Sequence, residues 1–182
     1  MMNHVTLIPQ TFDIQNLINK KVDVMSAYIT DQPFRLKEKG VETTIINPLN
    51  YGIDFYGDNL FTTEEMIKKH PQIVQKFLRA TLKGWEYAMK NPQEIIEIIL
   101  AKYPTKLSRQ ALEYEAQEMR KFILPDLVKI GTSHPERFYH IAQIYHQLGF
   151  VDNNYHTLED FIYDPSKDDY PLTHSFFIGL GI

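Results

Sequence analysis

The chain has 182 residues, enough for one ordinary domain or one with an appendage. An apolar fraction of 43% and an aromatic fraction of 13% supply a core and argue against disorder. A net charge of −4 gives no basic footprint for nucleic acid, and the absence of cysteine excludes disulfides, thiolate zinc sites, iron–sulfur clusters and cysteine nucleophiles.

The opening "MMNHVTLIPQTFDIQN" lacks the positive start and long apolar run of a signal peptide. "HVTLIP" (4–9) reads as a strand, and "TFDIQNLINKK" (11–21) as a helix, with Phe12, Ile14, Leu17 and Ile18 at near-helical spacing. "VDVMSAY" (22–28) has the apolar content of a strand covered on both faces. "PFRLKEKG" (33–40) is a short helix between Pro33 and Gly40, and the mostly β-branched "VETTIIN" (41–47) is a third strand. Connections of roughly a dozen residues, each with a helix, suit parallel crossovers and are too long for hairpins. The expected unit is a right-handed parallel βαβαβ.

"PLNYGIDFYGDNLFTT" (48–63) has no clear period and reads as an extended segment leaving the sheet, with a crossing strand at "IDFYG". Helices follow. Thr62 and Glu65 have capping-box spacing for a helix through His70. "PQIVQKFLRATLKGWEYAMKN" (71–91) carries an apolar stripe led by Ile73, Phe77, Leu78, Leu82, Trp85 and Met89. Asn91 and Pro92 start the next helix, Ser108 caps another, and Ser133 or His134 caps a last long one that Gly149 ends. "LEDFIY" reads as a short final turn. "THSFFIGLGI" is too short to span a bilayer and reads as a packed terminal strand.

Ligands of open parallel sheets sit outside the carboxyl ends of the strands. Those ends would gather Thr11, Tyr28, Thr30, Asp31, Gln32, Asn47, Asn50 and Tyr51, and the extended segment adds Asp54, Phe55, Tyr56 and Asp58. Aromatic faces among neutral donors and a few acids suit a small polar, heterocyclic ligand, and lack the basic groups a multiply charged phosphate needs. The candidate ligand-binding residues are Thr11, Tyr28, Asp31, Asn47, Tyr51, Asp54 and Tyr56. Taken singly, each also reads as an ordinary loop residue. No catalytic residue, metal or cofactor is indicated. His134, His140 and His146 recur every six residues, which does not align them on one helix face. Walker, GxSxG and GxGxxG patterns are absent.

"VDVMSAYITDQPFRLKEKG", "NPLNYGIDFYGDNLFTT" and "HPQIVQKFLRATLKGWEYAMKNP" together resemble substrate-binding-protein-like domains of the NMT1/THI5 (SsuA/THI5-like) family, over about residues 4–165. In style they are nearest to versions that serve as extracytoplasmic sensors. The resemblance implies an α/β class and part of a type II periplasmic-binding-protein-like fold, its βαβαβ unit followed by a helical C-terminal half. Residues 1–50 would be a partial second lobe, 51–62 a hinge crossing, 63–165 the closing helical part of the first lobe, and 166–182 a tail. The opening strands of the first lobe have no counterpart here. The chain would therefore be the second part of a receptor, and self-association or repacking would cover the exposed helix stripe.

The family also implies a small-molecule ligand, a pyrimidine precursor of thiamine or a related compound. Expected partners are an ABC permease or a fused signalling domain, in a periplasmic or envelope setting; without a signal peptide the chain taken alone would stay cytoplasmic. Asp31-Gln32-Pro33 stands where relatives carry an Asn-Glu-Pro-like turn. The iron motif of the family's pyrimidine synthases is cysteine-rich, so the enzymatic reading is the weakest. A remnant or interaction module without its own ligand is the alternative to a binding module.

Overall fold

The computed structural model describes residues 5–152, 161–164 and 176–179. The elements run α1 (Gln15–Ile18), α2 (Gln32–Glu38), a 3-10 turn (Pro48–Tyr51), β1 (Asn59–Thr62), α3 (Glu64–Lys69), α4 (Pro71–Lys90), α5 (Pro92–Lys102), α6 (Arg109–Ile123), α7 (Pro135–Gln147) and β2 (Phe176–Gly179). Proline stands in the first two positions of α2, α4 and α7. It also opens α5. There its fixed φ suits the helix and its missing N–H costs nothing.

The chain divides into two compact units, residues 1–45 with 96–118 and residues 46–95 with 119–182. In the first, Ile14, Leu36, Ile96, Ala111 and Leu112 are buried. Phe34 stacks on Tyr114 at 4.7 Å, and the Tyr114 hydroxyl donates to the Ile29 carbonyl at 3.2 Å. Gly40, at φ 72°, closes α2 in a Schellman turn: its N–H bonds the Lys37 carbonyl at 2.9 Å and that of Val41 bonds Leu36 at 3.0 Å. In the second unit, Ile67, Val74 and Tyr163 form a buried cluster against Leu60, Met66 and Leu78. Gly131 is required there, because at φ 87° a Cβ would overlap Leu82 Cδ2.

Several expectations need correction. Residues 5–9, 22–28 and 41–47 are irregular, and among the described residues the ladder is the antiparallel β1–β2 pair, with Thr62 opposite Phe176. A strand exists through a neighbour's N–H and C=O groups, and no described segment supplies them to these three runs. Much of their apolar surface stays in water, with Leu7 at 79% and Val24 at 72% exposure. The parallel βαβαβ unit is therefore not formed by the described residues; they are mostly helical. "IDFYG" likewise carries no ladder, and the strand starts two residues later, at Asn59.

The helix expected over 11–21 shrinks to Gln15–Ile18. Phe12 and Lys20 hold left-handed φ of 56° and 54°, which a continuing helix cannot contain. Thr63, not Thr62, caps α3, accepting from the Met66 N–H at 3.1 Å. Thr62 is already committed to the ladder. His134 takes the N-cap position of α7 without a side-chain cap bond. On α4, Val74 and Met89 are buried, whereas Ile73 and Phe77 are exposed. The start of the "LEDFIY" turn and most of the tail lie outside the described residues; Phe176–Gly179 is a strand.

Candidate functional site

The segment 47–56 belongs to the second unit, and side chains from α7 grip its backbone. Asn47 Oδ1 accepts from the Leu49 N–H at 3.0 Å and starts the 3-10 turn, which Gly52 ends at φ 76°. His140 Nε2 donates to the Gly52 carbonyl at 2.8 Å. Arg137 donates from Nε to the Asp54 carbonyl at 3.4 Å and from Nη2 to the Phe55 carbonyl at 3.3 Å, and forms an ion pair with the Asp54 carboxylate. Two side chains on neighbouring turns of one helix thus satisfy three carbonyls of an irregular segment that has no strand partner among the described residues.

Tyr56 is the centre of this arrangement. Its side chain is buried, its hydroxyl accepts from the His134 N–H at 3.0 Å, and its ring lies 5.0 Å from Phe138. The Arg137 guanidinium sits 4.2 Å from the Tyr56 ring centroid, where the ring face attracts a cation. Beside them opens a cavity of about 490 Å³ whose polar lining is Asn47, Asp54, Tyr56, Thr132, His134 and Arg137. Its remaining wall is apolar, including Ile53, Phe122, Leu124 and Val128. Asp54 offsets Arg137, so the lining carries no large net charge. An apolar cleft of this size with a few convergent polar groups suits a small, largely uncharged ligand.

Of the sequence-derived candidates, Asn47, Asp54 and Tyr56 meet at this cavity. Tyr51, in the same unit, is 71% exposed and does not line it. Thr11, Tyr28 and Asp31 belong to the first unit. Thr11 Oγ1 accepts from Asn16 Nδ2 at 2.9 Å, and Tyr28 stacks on Phe12. Asp31 pairs with Arg35 at 3.3 Å and accepts from Gln32 Nε2 at 2.8 Å. Burial pushes the nearby Glu115 carboxyl above its ordinary range, and the negative charge of Asp31 adds to the shift.

Sequence reasoning missed Arg137, His134 and Phe122. Arg137 and His134 lie at the start of a helix that was read for its cap and for its histidine spacing alone, and their contacts reach back some eighty residues along the chain. The available signal was the i, i+3 spacing of Arg137 and His140, which places their polar groups on neighbouring turns of one face, whereas His134 acts through its backbone N–H. Among the described residues, no cluster of three or more His, Asp or Glu could hold a metal ion. No described helix is long and apolar enough to cross a membrane.

A formylaminopyrimidine-binding protein of Halalkalibacterium halodurans is 29% identical over 87 residues, covering 47% of this chain and 26% of that protein. The riboflavin-binding protein RibY of Chloroflexus aurantiacus is 27% identical over 103 residues, covering 53% of this chain and 29% of that protein. The chain therefore spans less than a third of the length of these relatives, both of which are named for a small molecule they bind. No solved structure matches it. The family model described as NMT1/THI5 like matches residues 1–95, more than half of the 182. By that match the chain belongs to the NMT1/THI5-like family, whose fold is periplasmic-binding-protein-like.

Proposed function

We propose that the chain is a small-molecule-binding module of substrate-binding-protein type, serving transport or sensing and performing no catalysis. The observation that carries this reading is the second-unit cavity in which Asp54 and Tyr56 meet Arg137 and His134. Its ligand is a compact heterocycle of the kind that the relatives' names describe, a substituted pyrimidine or a flavin. In the first unit, taken by itself, we propose Thr11, Tyr28 and Asp31 as ligand contacts, and in the second unit Tyr51 as a further one. We assign residues 1–50 to part of a second lobe, 51–62 to a hinge, 63–165 to the closing part of a first lobe and 166–182 to a tail. Small backbone changes near Gly52 would serve hinge closure. The setting is the cell envelope, and the partner is a permease or a fused signalling domain.

Calorimetry on the purified chain with riboflavin, 4-aminopyrimidine, amino acids and taurine tests the reading. Saturable heat with one of the heterocycles is expected; a folded protein silent to all of them contradicts it. A second reading, an interaction module without its own ligand, draws on the exposed apolar runs around Leu7, Val24 and Ile46. It predicts that same silence, together with concentration-dependent association.

A further inference from the structure

Three described residues other than glycine hold a left-handed backbone: Phe12, Lys20 and Leu124. Two have a helix end to explain them. Lys20 follows the C-cap of α1 and its N–H bonds the Leu17 carbonyl at 3.0 Å; Leu124 follows α6 and its N–H bonds Arg120 at 3.0 Å. Phe12 precedes a helix, closes no turn of one, and is a bulky residue for which positive φ is an outlier. Burial does not compensate it, because its side chain is 49% exposed.

What the conformation achieves is the placement of a ring. Phe12 stacks on Tyr28 with centroids 6.1 Å apart and planes 21° from parallel, an offset that leaves part of each face open. Tyr28 is itself 53% exposed. Two glutamines fix the backbones beneath the pair. Gln10 Oε1 accepts from the Thr11 and Phe12 N–H groups at 3.0 and 3.3 Å, and its Nε2 donates to the Ser26 carbonyl at 2.5 Å. Gln32, buried, accepts from the Tyr28 N–H at 2.7 Å. Local strain persists only where the surroundings enforce it, and such strain gathers at ligand sites.

We propose that Phe12 and Tyr28 form a stacking shelf for a planar heteroaromatic ligand, with the left-handed backbone of Phe12 setting the plane of the shelf. The proposal rests on the small-molecule reading above and narrows it: a flat π-system is taken, and a sulfonate or an aliphatic amino acid is not. Phe12 becomes a specificity-determining residue that periodicity alone had assigned to a helix stripe.

Titrations with riboflavin, 4-aminopyrimidine and taurine on the wild type, Phe12→Asn, Phe12→Leu and Tyr28→Leu test it. Asparagine tolerates the left-handed region, so Phe12→Asn removes the ring while relieving strain. The expected result is an unchanged or raised melting temperature with at least about 5-fold weaker heterocycle binding, the lower end for a lost stacking partner. Phe12→Leu and Tyr28→Leu each keep apolar bulk without a π-face and should weaken binding similarly. If Phe12→Asn fails to fold, Phe12→Leu decides. Wild-type heterocycle affinity in the variants that lack either ring, or binding of taurine alone, overturns the shelf and leaves the binding reading standing. A wild type that binds none of the three probes removes both.

Discussion

Arg137 is the residue on which the second-unit site depends. It joins a carboxylate, two backbone carbonyls and an aromatic face, and it is itself about a third exposed. Arg137→Met keeps the length of the side chain and loses all four interactions. The expected cost is about 1–2 kcal/mol of stability, discounted for partial exposure, with heterocycle affinity reduced as well. Tyr56→Phe leaves the His134 N–H without its acceptor and should cost about 1 kcal/mol, seen as a lower denaturant midpoint at unchanged slope. Glu115 makes a pH-dependent contribution. Its folded pKa is raised by burial and then by Asp31, so the folded state holds the proton more tightly than the unfolded one. The stability this gives is fully present below the unfolded carboxyl pKa and is lost as pH rises through the raised value. Glu115→Gln should therefore raise the melting temperature at neutral pH and lose that advantage in acid. The gain stays below about 1 kcal/mol, because the carboxyl is only half buried and water screens it. A benefit at low pH that vanishes at neutral pH would contradict the assignment.

At the scale of elements, the sequence was legible where the signal is local. Prolines at 33, 71, 92 and 135, the Gly40 stop and the Ser108 cap, which accepts from the Ala111 N–H at 3.0 Å, are short-range choices that tertiary contacts did not override. Strands are different, since β-branched content states only that a segment fits beside another one. "VETTIIN" has the composition without a described neighbour, whereas "NLFT" has a neighbour in β2. The shortening of α1 was not legible either, because nothing in the type of Phe12 announces a left-handed backbone. The candidate site was half legible. The polar and aromatic character of 47–56 marked Asn47, Asp54 and Tyr56, but the α7 residues opposite them depend on how a distant helix packs. Thr63→Ala removes the cap of α3 and should cost about 1 kcal/mol, whereas Thr62→Ala leaves the cap intact. Equal loss of helicity in both variants would restore the other register.

At the scale of the whole molecule, much apolar surface is uncovered among the described residues. Leu7 and Val24 in the first unit, and Ile46, Ile73 and Phe77 in the second, are each more than half exposed. Ile73 and Phe77 stand one turn apart on α4 and make one exposed apolar face, and such faces favour association. Light scattering across a concentration series should therefore show association, and Phe77→Glu should reduce it; a monomer at every concentration would contradict this expectation. The chain covers 26% and 29% of its two relatives, so its ligand binding must be measured directly rather than inferred from theirs. The most direct measurement is calorimetric titration of the folded chain with riboflavin and with 4-aminopyrimidine, repeated on Arg137→Met. The account predicts saturable binding of at least one heterocycle, weakened in the variant. A folded wild-type chain that gives no binding heat with either, at protein concentrations able to detect micromolar affinity, would contradict it.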